Sequence, residues 1–179
     1  TGPVHALAFS PNGNVLVTGN DNGTEQLWDV STRQPIGGPL NDGTSTVTSV
    51  AFSPDAQTVA AGTRDGMVRL WDVTARRQIG SPLNEGTRQV NSIAFAPDGK
   101  TLAVGTGNSA DDRGTVQLWE VATHHLIGSF VIRSDAGTVY SVAFSPNGNI
   151  LAAGSGDGMA RLWDVTTRRK ISALNNGSF

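Results

Sequence analysis

The chain has 179 residues, of which 22 are glycine and none is cysteine, and its formal net charge is −2. Without cysteine, neither a disulfide nor a thiolate metal site holds the fold together. The small charge gives no electrostatic basis for binding nucleic acid. No apolar run approaches the roughly 20 residues of a membrane helix, and no signal-peptide pattern is present. We expect a soluble protein without nucleic-acid or membrane partners, with the cytoplasm favoured, built from short strands and tight turns.

One short pattern occurs four times along the chain. The copies read VHALAFSPNG, VTSVAFSPDA, VNSIAFAPDG and VYSVAFSPNG, and they begin at Val4, Val47, Val90 and Val139. Each copy leads into a segment that contains a tryptophan, and successive tryptophans are 43, 48 and 44 residues apart. Self-similarity with a period of this length is typical of a repeat architecture.

Each period divides into four apolar segments separated by glycine and Asn/Asp clusters. In the second period the segments predict strands at 47–52, 58–61, 67–73 and 78–83. Four short strands joined by tight turns indicate an antiparallel meander. In the first of these strands both faces are apolar, with Val47 and Ala51 on one face and Val50 and Phe52 on the other. Because both faces require cover, a radial arrangement of such sheets is favoured.

The segments around the tryptophans identify a family. The second and fourth periods contain GTRDGMVRLWDV and GSGDGMARLWDV, which resemble the closing signature of the Trp-Asp (WD) repeat family. The dipeptide itself stands at 28–29, 71–72 and 163–164, with Trp119-Glu120 as a variant. The resemblance covers essentially the whole chain and implies an all-β propeller unit over 1–179, with four-stranded blades at about 1–43, 44–86, 87–135 and 136–177. It also implies a structural role for Trp28, Trp71, Trp119 and Trp163.

The chain departs from the family at a hydrogen-bonded tetrad of His, Ser/Thr, Trp and a turn Asp. Where the family usually has Gly-His, this sequence has Asp42-Gly43, Glu85-Gly86 and Ser134-Asp135. The Ser/Thr position is Thr18 in the first repeat and Ala61, Val104 and Ala153 in the others. We expect that the tetrad does not stabilise these blades. Losing several members together avoids a half-satisfied buried network.

One further position differs in charge. Glu25 stands where the other repeats have Val68, Val116 and Ala160. Because charges are rarely fully buried, we expect its carboxylate to reach solvent at the rim; a contact with a partner or a neighbouring blade is the alternative.

The turn after each Trp strand normally uses glycine, which suits a left-handed conformation. This chain instead has Arg33, Arg76, His124 and Arg168. Together with Arg77, His125, Arg169 and Lys170 they make one rim basic, while the opposite rim carries Asp42, Glu85, Asp111, Asp112 and Asp135. Solvated surface is the simplest interpretation of both rims.

No set of residues predicts catalysis, a metal site or a cofactor. The three histidines are His5 and the adjacent pair His124 and His125, which would point in different directions. Asp111 and Asp112 lie in an insertion, Gly107 to Gly114, where an acidic loop is compatible with a cation but lacks the alternating Asp/Asn pattern of calcium loops. Phosphate-loop and dinucleotide fingerprints are absent. We therefore predict that the protein is not an enzyme.

The resemblance implies a binding function. Proteins of this family typically bind peptides or protein domains around the central channel, through positions beside the opening Val of the first strand and before the turn Asp. The corresponding candidates here are His5, Asp21, Thr48, Arg64, Gln89, Asn91, Asp112 and Tyr140. We predict a non-catalytic scaffold for a protein or peptide ligand. The alternative is a regulatory or targeting segment of a larger multidomain enzyme, such as a signalling protein.

Four blades are fewer than the seven or eight that usually close the propellers this chain resembles. The sequence LNNG at 174–177 aligns with LNDG and LNEG, and the opening TGPV aligns with TSTV and TRQV. Tail and head would together restore one repeat junction, and each would leave an uncovered apolar blade face. Because heterologous contacts close a ring when the rotation fits, we expect a homodimer with eight blades. A piece of a longer propeller is the alternative.

Overall fold

The structure is a computed structural model that describes residues 2–40, 43, 45–84, 88–107, 113–133 and 137–175. Within these ranges the chain forms sixteen strands and no helix. The strands make four antiparallel sheets of four strands each, and in every sheet the strands follow chain order. The predicted all-β class and the four-stranded meander are therefore confirmed. The chain divides into two compact units, Thr1–Val90 and Asn91–Phe179.

We call the four sheets blades 1 to 4 in chain order. The strands of blades 1 and 2 are β1 (Val4–Phe9), β2 (Val15–Asn20), β3 (Glu25–Asp29), β4 (Gln34–Pro35), β5 (Val47–Phe52), β6 (Thr58–Thr63), β7 (Met67–Asp72) and β8 (Arg77–Asn84). Those of blades 3 and 4 are β9 (Val90–Phe95), β10 (Thr101–Thr106), β11 (Arg113–Glu120), β12 (His125–Arg133), β13 (Val139–Phe144), β14 (Ile150–Ser155), β15 (Met159–Asp164) and β16 (Arg169–Asn175).

The turn between the first two strands of a blade is held by side chains. In blade 1 the Ser10 hydroxyl donates to the Asn12 side chain at 2.7 Å and accepts a bond from the Val15 backbone N–H at 2.9 Å. Ser53 and Ser145 make the same pair of bonds in blades 2 and 4. These short polar side chains satisfy backbone groups that a tight turn leaves free.

The turn after each Trp strand keeps a left-handed residue although no glycine is present. Arg33, Arg76, His124 and Arg168 have φ angles of 61°, 53°, 59° and 57°. In blades 1 and 4 the Asp of the Trp-Asp dipeptide stabilises this turn: Asp29 accepts the Thr32 N–H and Asp164 the Thr167 N–H, both at 2.7 Å. These bonds lower the pKa of both carboxyl groups. The dipeptide therefore fixes a turn that glycine would otherwise permit.

Each blade has two distinct faces, because side chains alternate along a strand. We call the side that carries Trp28, Trp71, Trp119 or Trp163 the Trp face, and the side that carries Leu27, Leu70, Leu118 or Leu162 the Leu face. Registers across the strands assign the remaining positions: Val17 pairs with Leu27 on the Leu face, and Leu16 pairs with Trp28 on the Trp face.

In both units the Leu face of one blade packs on the Trp face of the next. In the first unit, Val17 and Leu27 of blade 1 share a buried cluster with Val50 and Trp71 of blade 2. In the second unit, Val116 and Leu118 of blade 3 share a cluster with Val142, Leu151 and Trp163 of blade 4. The Phe130 and Trp163 rings stack with centroids 5.0 Å apart. Apolar burial of this kind is the main favourable term in folding.

The outer strand of blade 1 is only two residues long. Beyond Pro35 the chain still bonds to β3, because the Ile36 N–H donates to the Leu27 carbonyl and the Leu40 N–H to the Glu25 carbonyl, both at 2.8 Å. Proline has no N–H to add to a ladder, and Gly37 adopts a φ of 64°. Leu40 is thereby brought into the buried cluster between blades 1 and 2.

The incomplete tetrad leaves indole groups unpaired. Trp28 Nε1 donates to the Thr18 hydroxyl at 3.1 Å in blade 1. Ala61 replaces this hydroxyl in blade 2 and Val104 in blade 3, and Trp71 Nε1 and Trp119 Nε1 are buried with no hydrogen-bond partner among the described residues. The loss of several tetrad members has therefore not removed the unsatisfied groups, and each costs stability.

We predict that Ala61→Ser stabilises the chain by about 1 kcal/mol, because the new hydroxyl has the position from which Thr18 accepts the Trp28 N–H. Ala60→Ser is the matched control, since Ala60 is equally buried on the opposite face; it should destabilise by roughly 1–3 kcal/mol. Urea unfolding measures both variants. Equal destabilisation by the two substitutions would contradict the prediction.

Candidate functional site

The candidate binding edge of the first unit is a hydrogen-bonded set of residues at the start of the first strands. His5 Nε2 lies 3.1 Å from Asp21 Oδ1, and the Thr46 hydroxyl donates to the same carboxylate oxygen at 3.2 Å. The Asp21 N–H donates to the Pro3 carbonyl at 2.9 Å. Two predicted positions, His5 and Asp21, are therefore exposed and are held together, with the neighbouring Thr46, by their own bonds.

Arg64 is the available cation of this edge. Its backbone N–H donates to the Thr46 carbonyl at 2.9 Å, which fixes the position of the residue. Its side chain is exposed and makes no hydrogen bond or ion pair with any described residue. Gln89 is half-buried. Of these two candidates, Arg64 is the one that is free to bind an external acceptor.

Thr48 and Asn91 are used inside the protein. The Thr48 hydroxyl donates to the Val90 carbonyl at 2.5 Å and to the Gly62 carbonyl at 3.1 Å. In the second unit, Asn91 Nδ2 donates to the Gly107 carbonyl at 3.0 Å and to the Val139 carbonyl at 2.9 Å. Both side chains thus join the first strand of their blade to the Val that opens the following repeat. Their polar groups are occupied, which lowers their value for a ligand.

Tyr140 occupies the position that corresponds to Thr48 and Asn91 in blade 4, but its side chain is 61 % exposed. It lines a hollow of about 550 Å³ together with Ser141, Gly154, Met159 and Leu174. Most of this hollow belongs to the Leu face of blade 4. The structure therefore places Tyr140 beside an uncovered sheet face.

Several predicted positions lie outside the described residues. They are Asp112 of the binding candidates and the acidic rim residues Asp42, Glu85, Asp111 and Asp135. On the basic rim, Arg76 Nη2 donates to the Gly38 carbonyl of blade 1, and the Arg168 side chain lies against Gly128 of blade 3. Arg76 thus contacts the segment that follows β4, and Arg168 contacts β12, so the basic rim is more than solvated surface.

The expectation that Glu25 reaches solvent is wrong. Its side chain is fully buried on the Leu face of blade 1, and neither carboxylate oxygen has a hydrogen-bond partner among the described residues. Burial raises its pKa to about 7, and the positive charge of Arg69 in blade 2 acts in the opposite direction. The alternative, an interaction with the neighbouring blade, is the one that the structure supports. Sequence reasoning missed Arg69, although its place two residues before Trp71 puts it on the facing surface.

In the second unit, the arginine at the corresponding position has a different partner. Arg161, the counterpart of Arg69, faces a blade that has Val116 in place of Glu25. It forms a paired contact with Asp157, at 2.5 Å from Nη2 and 3.0 Å from Nη1. A bidentate Arg–carboxylate pair is strong and geometrically specific. In the second unit, the charge of Arg161 is therefore compensated by Asp157 of the same blade. In the first unit, Arg69 interacts with the buried carboxyl group of Glu25 in the adjacent blade.

One face of blade 1 and one face of blade 4 are not covered by any other blade among the described residues. On the Trp face of blade 1, Val4, Leu7 and Phe9 are more than half exposed, whereas Val47 and Val50, at corresponding places in blade 2, are buried. On the Leu face of blade 4, Leu174 is 56 % exposed, and Leu162 is half-buried where Leu27, Leu70 and Leu118 are buried. Large contiguous apolar patches on protein surfaces are typical of interaction sites.

A family model confirms the pattern of the four repeats. The model described as "WD domain, G-beta repeat" matches residues 1–29, 37–72, 80–120 and 126–164. The chain belongs to the WD-repeat family. Comparison with curated proteins gave no match. WD repeats generally serve as scaffolds for protein interaction and are typically non-catalytic, which agrees with the binding function expected from the sequence.

No cluster of three or more His, Asp or Glu side chains suited to a metal ion occurs among the described residues. In the same part of the chain there is no helix with the length and apolarity to cross a bilayer. His5 and Asp21 form a contact between a histidine and a carboxylate at 3.1 Å. The chemistry available at the edge of this WD-repeat chain is hydrogen bonding and charge recognition.

We predict that Glu25 makes stability fall with rising pH. The unfolded chain loses this proton near pH 4.5 and the folded chain near pH 7, so the free energy of unfolding should decrease across that interval by about 3 kcal/mol. Below the interval Glu25 is protonated and this pH-dependent cost is absent, and above the interval the cost is complete. Glu25→Gln should remove this component.

The measurement is urea unfolding of both proteins from pH 4 to pH 8. Glu120→Gln is the control, because Glu120 is exposed and its substitution should leave the pH profile unchanged. Parallel profiles for the original chain and Glu25→Gln would show that Glu25 does not cause the dependence.

Proposed function

We propose that this WD-repeat chain is a non-catalytic scaffold that associates with a second copy to complete an eight-bladed propeller and binds a protein or peptide at the edge bearing His5, Asp21 and Arg64. The observation that carries the proposal is the uncovered Trp face of blade 1 together with the uncovered Leu face of blade 4. Inside each unit, faces of these same two kinds pack against each other. A second copy supplies both missing partners without any new type of contact.

The binding edge supports a ligand with acidic or hydrogen-bonding groups. Arg64 offers a guanidinium group that no described residue pairs, and arginine is among the residues that most often dominate interface energetics. The neighbouring His5–Asp21 pair, with the Thr46 hydroxyl on Asp21, adds a donor and acceptor set that is already ordered. Groups that are held in place before binding lose less entropy on binding. A peptide that carries a carboxylate beside polar backbone groups fits this edge.

We expect light scattering on the purified chain to give a mass of about 37 kDa, twice the 18.6 kDa of one chain, with dissociation on dilution. Leu7→Asp and Leu174→Asp each place a charge on one uncovered face and should yield folded monomers, because an unpaired charge is costly to bury. Leu126→Asp is the control: Leu126 is exposed on the outer strand β12 and should keep the dimer.

A folded monomer at every concentration would overturn self-association. The uncovered faces would then require blades of a longer polypeptide, as in the alternative of a regulatory or targeting segment of a larger enzyme. A mass above that of the dimer that grows with concentration would show open stacking instead of a closed ring.

Peptide binding is tested by selection from a displayed random library, followed by affinity measurement with variants. We expect Arg64→Ala to weaken the selected peptides by about tenfold or more, as the loss of an interface hot spot does. Arg77→Ala is the control, because Arg77 is an exposed cation on the opposite rim. Equal losses for the two variants would indicate charge attraction without a site, and would contradict the proposal.

A further inference from the structure

A valine and a glycine form the closest contact between stacked blades. Val47, on the Trp face of blade 2, packs so tightly on Gly19 of blade 1 that a Cβ atom at Gly19 would lie 2.9 Å from the Val47 Cβ. Val139 of blade 4 packs on Gly105 of blade 3 in the same way, with a corresponding distance of 3.5 Å. Both valines are fully buried. The glycines are required here because any side chain would separate the sheets.

The chain contains the glycine and the valine of one further contact of this kind, but these two residues do not contact each other. Gly154 is the counterpart of Gly19 and Gly105 in blade 4, and a Cβ atom there would meet nothing within 4 Å. Val4 is the counterpart of Val47 and Val139 in blade 1, and it is 55 % exposed. One chain therefore carries an unfilled glycine position on its Leu face and an unseated valine on its Trp face.

Hydrogen bonds beside these contacts also recur from one repeat to the next. Thr48 and Asn91 each donate to the carbonyl of the Val that opens the next repeat, Val90 and Val139 respectively. Tyr140 has the same place in blade 4, next to Gly154, and lines the hollow of about 550 Å³. A blade that followed blade 4 in the same way would present the opening Val of its first strand beside Tyr140.

The tryptophan contact is repeated as well. Phe130, on the outer strand of blade 3, stacks on Trp163 of blade 4, and Leu40 of blade 1 shares a cluster with Trp71 of blade 2. Leu174 is the residue of blade 4 that corresponds to Phe130, because it pairs with Ala160 as Phe130 pairs with Val116. Trp28 borders a hollow of about 250 Å³ with Phe9, Leu16 and Val30. Leu174 and Trp28 are thus the uncovered halves of this contact.

We propose that two copies of the chain meet head to tail, with Val4 of one copy seated on Gly154 beside Tyr140 of the other, and Leu174 covering Trp28. The inference rests on the self-association proposed above and specifies its contacts. Pairing of like faces is disfavoured, because it would set Val4 against Val4 with no glycine to receive it. In the head-to-tail arrangement Tyr140 belongs to the junction, and the peptide site is left to residues such as Arg64.

Disulfide trapping tests this arrangement directly, since the chain has no cysteine of its own. Two single variants, Val4→Cys and Gly154→Cys, are prepared separately. At the internal contact between Gly105 and Val139 the corresponding Cβ separation is 3.5 Å, which lies at the lower end of the ~3.5–4.5 Å that a disulfide spans. Mixed and oxidised, the two variants should give a cross-linked pair that contains one chain of each, and neither variant alone should cross-link.

Gly105→Cys/Val139→Cys is the matched positive control, because it makes the corresponding bond inside one chain. Gly154→Val provides a second readout: it fills the space that Val4 requires, so it should abolish dimer formation while its circular dichroism stays that of the folded chain.

The outcomes separate this inference from the proposed function. A dimer by light scattering that gives no mixed cross-link, while the internal control forms its disulfide, would overturn the head-to-tail contacts and leave self-association standing. Cross-linking of Val4→Cys with itself would do the same, in favour of pairing between like faces. A monomeric chain would overturn both.

Discussion

The packing of a Leu face on a Trp face is the interaction on which the rest of this structure depends. Each blade is a four-stranded sheet with two apolar faces, and a sheet of this kind cannot cover itself. Val47 on Gly19 and Val139 on Gly105 set how closely two blades approach, and the tryptophans then reach the outer strand of the preceding blade. The polar edge that bears Arg64 is positioned by this stacking, so the recognition that we propose for this edge depends on the same contacts as stability.

Fewer buried polar groups have hydrogen-bond partners in these blades than in blades with a complete tetrad. Trp28 has its hydroxyl partner, whereas Trp71 and Trp119 have none among the described residues. Glu25 adds a second buried polar group, opposed by the charge of Arg69. Because buried unpaired groups cost free energy, apolar packing between blades must supply more of the stability. A blade face without a neighbour therefore loses a larger share of the free energy that stabilises the fold.

Much of the fold could be predicted from the sequence, since the period of about 43 residues and the Trp-Asp dipeptides specify the strands and the turns. The strands at 47–52 and near 67–72 were expected almost residue for residue. Contacts between repeats were not predictable, because they join positions that no single repeat brings together. The burial of Glu25 against Arg69 is one example. The hydrogen bonds from Thr48 and Asn91 to carbonyl groups of the following repeat are another.

Acrylamide quenching of tryptophan fluorescence over a range of protein concentrations tests most directly whether the uncovered Trp face is a stacking surface. Trp71, Trp119 and Trp163 are buried, and Trp28 alone among the four is half-buried. A quenchable component that disappears as concentration rises, and that Trp28→Phe lacks, is the predicted result. A component of constant size at all concentrations would show that this face remains open to solvent, and would contradict the account.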